Sequence, residues 1–262
     1  MAELDQTTVS RAVLIEVANV LGAYRDRLVL VGGWVPELLY PNRGHIRSLD
    51  VDFAVAPTDI ADNAYETIRA RLLEAGYNHH SGPASFSKSV DGAAKPVKVD
   101  FICGQYAEGE KSAAVRINEL HIRSLRGIDL AFEACEAIEI SGTMPDGTQN
   151  VVRSQIVLPE AFILIKAFAL DERTKGKDAY DIAFVLHHYH PNLATLAERI
   201  RPHVAKGLGR EALGILQAKF SSIDAVGPVR AAEAVPGTEH DFEQLQRAAF
   251  EDAQELFRQV DA

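Results

Sequence analysis

The period of the apolar residues changes at Leu158-Pro159, and that change constrains the fold more than any other feature of the chain. Before it, short runs of Val, Ile and Leu (RLVLV at 27–31, LDVDFAVA at 49–56, VKVDFIC at 97–103) are separated by turns and helical stretches. After it, apolar residues recur every three or four positions to the end of the sequence. Proline suits the first turn of a helix, so helices are expected over 159–171, 177–189, 192–205, 209–221 and 238–259. Breaks are expected at Gly176, Pro191, Gly207, Gly227-Pro228 and Pro236-Gly237, and residues 224–238 read as the loosest segment. Strands mixed with helices, then helices alone, predict an α/β (α+β) architecture. A small mixed β-sheet with helices occupies 1–157, and an α-helical domain occupies 158–262.

Within the first part, helical spacing runs from Thr7 to Tyr24, with Asp5, Thr7 or Thr8 available as cap. A strand at 27–31 stops at Gly32-Gly33, and one or two helical turns follow before Pro41. Helical spacing returns over 59–75, and strands are expected at 86–90 and 97–103. The stretch from Ala113 to Val157 reads as the edge of the same sheet, with Asp146-Gly147 as a hairpin turn.

Among 262 residues, 27 Lys and Arg face 37 Asp and Glu, a formal charge of −10. That balance opposes bulk coating of nucleic-acid phosphate while leaving room for a local basic groove. The two cysteines, Cys103 and Cys135, form neither a CxxC nor a disulfide framework. The N-terminus lacks a basic segment followed by an unbroken apolar core, and no run reaches the roughly eighteen apolar residues of a spanning helix. The expectation is a cytoplasmic protein with no membrane partner.

The chemistry concentrates in a few places. Asp50-Val51-Asp52 lies in an expected strand, where period two points both carboxylates to one face. Two neighbouring anions call for a cation, and Mg²⁺ takes one or two carboxylates plus phosphate oxygens; taken alone, the pair reads as two solvated aspartates. Asp100 in VKVDFI adds a third carboxylate on a second apolar strand, although aspartate is depleted in strands. Lys98 shares its face, so a local ion pair competes with a metal role. Gly32-Gly33 stands between strand and helix, where backbone N–H groups and the helix dipole suit a phosphate. An ordinary tight turn would look the same. Lys166, Arg173, Lys175 and Lys177 gather at a bend, a composition suited to polyphosphate. The alternative is a solvated turn, with Asp178 as cap and Lys177 paired to Asp181 four residues on. His187, His188 and His190 crowd a helix end, a placement that favours the dipole over a metal. GLGREALG at 207–214 reads as an interhelical turn.

The run LVGGW…RSLDVDF, followed by KVDFI and LPEAFILIKAFALDERTKGKDAYDIAFVL, resembles the nucleotidyltransferase superfamily of DNA polymerase β type, in particular the AbiEii-type toxin nucleotidyltransferases. The resemblance spans most of 28–186. It implies that Asp50, Asp52 and Asp100 are metal ligands and catalytic, with Mg²⁺ (or Mn²⁺) as cofactor and an NTP as substrate. It further implies that Gly32 and Gly33 give backbone room at the phosphates, with Ser48 as a further contact. Lys166 would touch the triphosphate, and Lys177, Asp178 and Asp181 would position nucleotide or acceptor. Trp34 departs from the pattern, since many members carry a small hydroxyl residue after the glycines. The family does not fix the acceptor, which could be tRNA or other RNA, a protein or a small molecule, nor whether an antitoxin partner exists. The expected activity is transfer of an NMP from an NTP, with the helical domain closing the cleft. The alternatives are a catalytically silent binding or regulatory protein of the same fold and an antibiotic-modifying enzyme.

Overall fold

Two units emerge from the contacts in the computed structural model of the chain: Met1–Val35 with Arg47–Val157, and Pro36–Ile46 with Leu158–Ala262. The structure describes residues 5–46, 48–56, 64–79, 84–104, 114–117, 120–173, 176–205 and 207–262. Lys175 of the expected basic bend lies outside them. None of the helices among the described residues is long and apolar enough to cross a membrane.

The first unit is built on a mixed sheet. Its strands are β1 (Leu28–Val31), β2 (Val51–Val55), β3 (Asn78–His79), β4 (Ser85–Lys88), β5 (Val97–Gly104), β6 (Ala114–Ile117), β7 (Leu120–Leu125), β8 (Cys135–Thr143) and β9 (Gln149–Val157). They pair in the order β3-β4-β5-β2-β1-β9-β8, with β7 on β5 and β6 on β7. β2 runs parallel to β5 and antiparallel to β1. The 113–157 stretch does join this sheet, and Asp146-Gly147 turns the β8-β9 hairpin. Gly147 takes a positive φ of 85° and the Asp146 carboxylate accepts from Thr148 N at 2.9 Å.

Period two gives the sheet two unlike faces. Phe53, Phe86 and Phe101 share one face, with Phe101 ring centroids 6.0 Å from Phe53 and 5.8 Å from Phe86, all nearly inaccessible. The residues between them, Asp52, Ser85 and Asp100, belong to the other face. Helix α1 (Gln6–Val20) packs against β5, β8 and β9, and the Asp5 carboxylate caps it by accepting from Thr8 N at 3.0 Å. After β1, one 3₁₀ turn (Gly32–Trp34) leads into the short α2 (Val35–Leu39), which from Pro36 belongs to the second unit. The expected 59–75 helix is described as α3 (Ala64–Glu74), and the single turn α4 (Leu130–Glu133) precedes β8.

In the second unit the described helices are α5 (Pro159–Glu172), α6 (Gly176–His188), α7 (Leu193–Val204), α8 (Gly207–Lys219), α9 (Val226–Glu233) and α10 (Glu239–Asp261). Residues 161–168 of α5 are buried on every side, as befits a helix with α6, α7 and α8 against it. Two expectations are corrected. Residues 226–233 form helix α9, because Gly227 and Pro228 sit in its first turn, where proline's missing N–H costs nothing. A Cβ at Gly227 would come within 2.6 Å of the Phe220 ring, so this glycine serves a close packing contact. GLGREALG likewise opens α8 and does not form a turn between helices.

Candidate active site

The strand register puts two of the sequence's carboxylates side by side. Asp52 of β2 is the direct partner of Asp100 of β5, so on parallel neighbours their side chains share one face of the sheet. Each is partly exposed, on a face where Ala54 and Ile102 continue the same rows. Asp50 is displaced from its expected position: β2 begins at Val51, and Asp50 occupies the exposed bend before it. It nevertheless lines the same cavity as Asp100.

Glycine at 32 is explained by Asp52. Gly32 has a φ of 74°, and a Cβ there would collide with the Asp52 carboxylate. The turn after β1 thus presents bare backbone directly beside this aspartate. Gly33 is buried in the same turn. Trp34 is 1% exposed and its indole N–H donates to buried Ser10 Oγ at 3.1 Å, so it serves the core. Ser48 is also buried.

Asp100 has partners in the structure. Ser85 Oγ donates to its Oδ1 at 2.6 Å, and Lys98 Nζ to its Oδ2 at 2.7 Å. The local ion pair anticipated from period two is therefore formed. Asp50, Asp52 and Asp100 supply hard oxygen donors of the kind Mg²⁺ takes, with Asp52 cradled against a bare glycine. Among the described residues no three His, Cys, Asp or Glu side chains converge as a metal-holding group. A cation here fits as one held by one or two carboxylates and completed by substrate oxygens.

The cavity beside Asp100 has a volume of about 700 Å³ and is lined by residues of β4, β5, β7 and the turn before β5. Ser85, Ser87, Lys95 and Arg123 in its wall carry no motif that marks them. The alternating serines of SFS are a visible signal, but only the register reveals that they face Asp100.

The second unit holds the other group of expected site residues. Lys166 on α5 is buried, with Nζ 2.9 Å from Asp178 Oδ1 and 2.8 Å from Asp181 Oδ2, both on α6. Arg173 Nε closes on Asp178 Oδ2 at 3.0 Å. Lys177 Nζ bonds Asp181 Oδ1 and the Ile46 carbonyl, each at 2.9 Å. His45, which no sequence pattern marks, completes the group: its ring is inaccessible, with Nε2 2.9 Å from Asp181 Oδ1. The Tyr180 ring stacks on it, centroids 5.3 Å apart, and Tyr180 Oη accepts from Ile46 N at 3.1 Å. Side chains of α6 therefore grip residues 45–46 by ring, amide and carbonyl.

Electrostatics follow from this burial. Desolvation alone would raise the Asp181 carboxyl, but Lys166, His45 and Lys177 outweigh it and hold it far below the usual carboxylate range. Desolvation would lower the Lys166 ammonium, yet Asp181 and Asp178 hold it above its ordinary value. For His45 and Lys177, burial prevails over Asp181 and depresses both. A neutral His45 donates its Nε2–H to Asp181.

Sequence comparison gives little beside this geometry. No protein-family model matches the chain, and no curated protein matches it. Two solved structures from Helicobacter pylori are similar over nearly the whole length. JHP933 is 15% identical and covers 99% of this chain and 95% of its own, with a TM-score of 0.47. A protein described as a "putative nucleotidyltransferase" is 16% identical and covers 98% of each chain, with a TM-score of 0.45. At these values the likeness says nothing of activity.

Proposed function

We propose that this protein is a nucleotidyltransferase of DNA polymerase β type that depends on Mg²⁺ or Mn²⁺ and moves an NMP from an NTP to an acceptor, releasing pyrophosphate. One observation carries the reading: Asp52 and Asp100 stand in register on adjacent parallel strands, with the bare backbone of Gly32 pressed against Asp52. Charged side chains on an inner strand of a small sheet are costly unless something uses them. Asp50, Asp52 and Asp100 would hold the divalent cation. When bound, it supplies charge to offset what develops on the triphosphate during displacement.

The chain's own groups take the remaining parts. Gly32 and Gly33 leave room for phosphate oxygens at backbone N–H groups. Where it does not hold the cation, Asp100 would receive the acceptor's proton at Oδ2 once Lys98 moves aside, with Ser85 donating to its other oxygen. Lys166, Lys177, Asp178 and Asp181 act by position: their charges neutralise one another, and through His45 and Ile46 they fix residues 45–46 within their own unit.

A second reading, a nucleotide-binding protein of the same fold without turnover, is favoured by the engagement of both Asp100 oxygens by Lys98 and Ser85. Incubation of the protein with each labelled NTP, Mg²⁺ and a cell extract separates the two. Label in RNA, in protein, including an antitoxin partner, or in small molecules identifies the acceptor. Nucleotide-dependent thermal stabilisation without label in any fraction establishes the silent reading.

A further inference from the structure

The cavity beside Asp100 has a charge character at odds with the chain as a whole. The protein carries a net charge of −10, yet Lys95, Lys98 and Arg123 all line this one space, with the hydroxyls of Ser85 and Ser87 between them. Lys98 is paired with Asp100. Lys95 and Arg123 are exposed, and no ion pair among the described residues engages either side chain. Gln6 meets only the backbone of Lys95. With Lys98 offset by Asp100, Lys95 and Arg123 outnumber Asp50, the remaining carboxylate of the wall, and this local excess of positive charge in an acidic protein suits an anion.

Topology places that anion. β4 and β7 both pair with β5 along the edge away from β2, so the cavity extends outward from Asp100 over β4, β5 and β7. Asp50 and Asp100 line it, and neither Gly32 nor Gly33 does. The glycine turn, where the proposed function puts the triphosphate, is across β2 from it.

We propose that this cavity is the acceptor subsite and that it binds a phosphate group of the acceptor through Arg123, Lys95 and Ser87. A planar guanidinium, an ammonium and a hydroxyl together match the oxygens of a phosphate, and charge-assisted bonds of this kind are the strong ones. A cationic acceptor would meet like charges at Lys95 and Arg123. The volume of about 700 Å³ accommodates a nucleotide-sized group. That the bound group belongs to an acceptor rests on the transferase reading; that the cavity binds phosphate does not.

The test uses the full chain in EDTA, titrated with ribose 5-phosphate and, separately, with a dinucleoside monophosphate. Lys95→Glu/Arg123→Glu, at exposed positions and checked by circular dichroism, is compared with wild type. Binding of either probe, weakened about tenfold or more in the double variant, is expected. The tighter probe tells a small phosphomonoester from a nucleic-acid end. A non-hydrolysable ATP analogue with Mg²⁺ should be weakened far less. Equal weakening of the analogue would make this the triphosphate site and overturn the proposal. So would probes that ignore wild type or bind both proteins alike. Charge-dependent phosphate binding in a protein that transfers no label would sink the transferase reading and leave the phosphate site standing.

Discussion

The carboxylates of the sheet and those of the helical unit have opposite surroundings in the fold. Asp52 and Asp100 lie on a partly open face, and the cation nearest Asp100, Lys98, has a side chain 46% exposed. Asp178 and Asp181 are buried, with Lys166, Arg173, Lys177 and His45 closed around them. An ion pair at a cavity mouth can be exchanged for a ligand at small cost. A buried network cannot, since removing one partner strands an uncompensated charge. The sheet carboxylates thus lie where a ligand can exchange with Lys98, while the helical ones are enclosed by their partners.

Substitution on each side puts this contrast at greatest risk. Asp52→Asn should cut nucleotide transfer by roughly a thousandfold or more, about 4 kcal/mol of transition-state stabilisation, with the urea midpoint little changed. Near-normal transfer would remove Asp52 from the chemistry. Lys166→Met should instead lower stability by about 3–5 kcal/mol in urea unfolding, because Asp178 and Asp181 then share too little positive charge. Full stability with lost transfer would make Lys166 catalytic and erase the contrast.

Acidification separates the two groups further. Asp181 is depressed in the fold, so its contribution is present above the unfolded value near 3.9 and is lost as pH falls below it. His45 is depressed by burial, so its neutral form contributes above about pH 6.5 and that contribution declines on acidification. Melting temperature should therefore fall between pH 7 and pH 5, and less so in His45→Gln. The remaining decline belongs to His188, which burial also depresses. A melting point that rises over that interval would contradict the buried-network account. The smallest effect is expected from Lys98→Ala, a change under about 1 kcal/mol for a half-exposed pair. A larger loss would make Lys98 structural and close the Asp100 site to ligands.

Much of this is legible in the order of the residues. Period two and the glycine pair locate β1, its turn and β2, and the third carboxylate follows from VKVDFI. Alternation also puts Asp50 inside the strand, wrongly, because it does not reveal where pairing starts. Helix α9 escapes the pattern because Gly227-Pro228 reads as a breaker, whereas both residues fall in the first turn of the helix, with Gly227 close against Phe220. The Lys98–Asp100 pair is one of two arrangements that period two allows. His45 carries no signal, being a lone histidine in an irregular loop.

What can be read from residue order is local: which residues alternate, which recur at helical spacing, and hence a mixed sheet followed by helices. Such periods depend on neighbours a few positions away and hold whatever the fold. Which charges meet is a tertiary matter. The register of β2 against β5 sets two aspartates distant in sequence side by side, and the approach of α6 to residues 45–46 makes a buried network of another group. Coulomb energy and desolvation depend on distance in space and on the loss of water, and neither is written in the order of the residues.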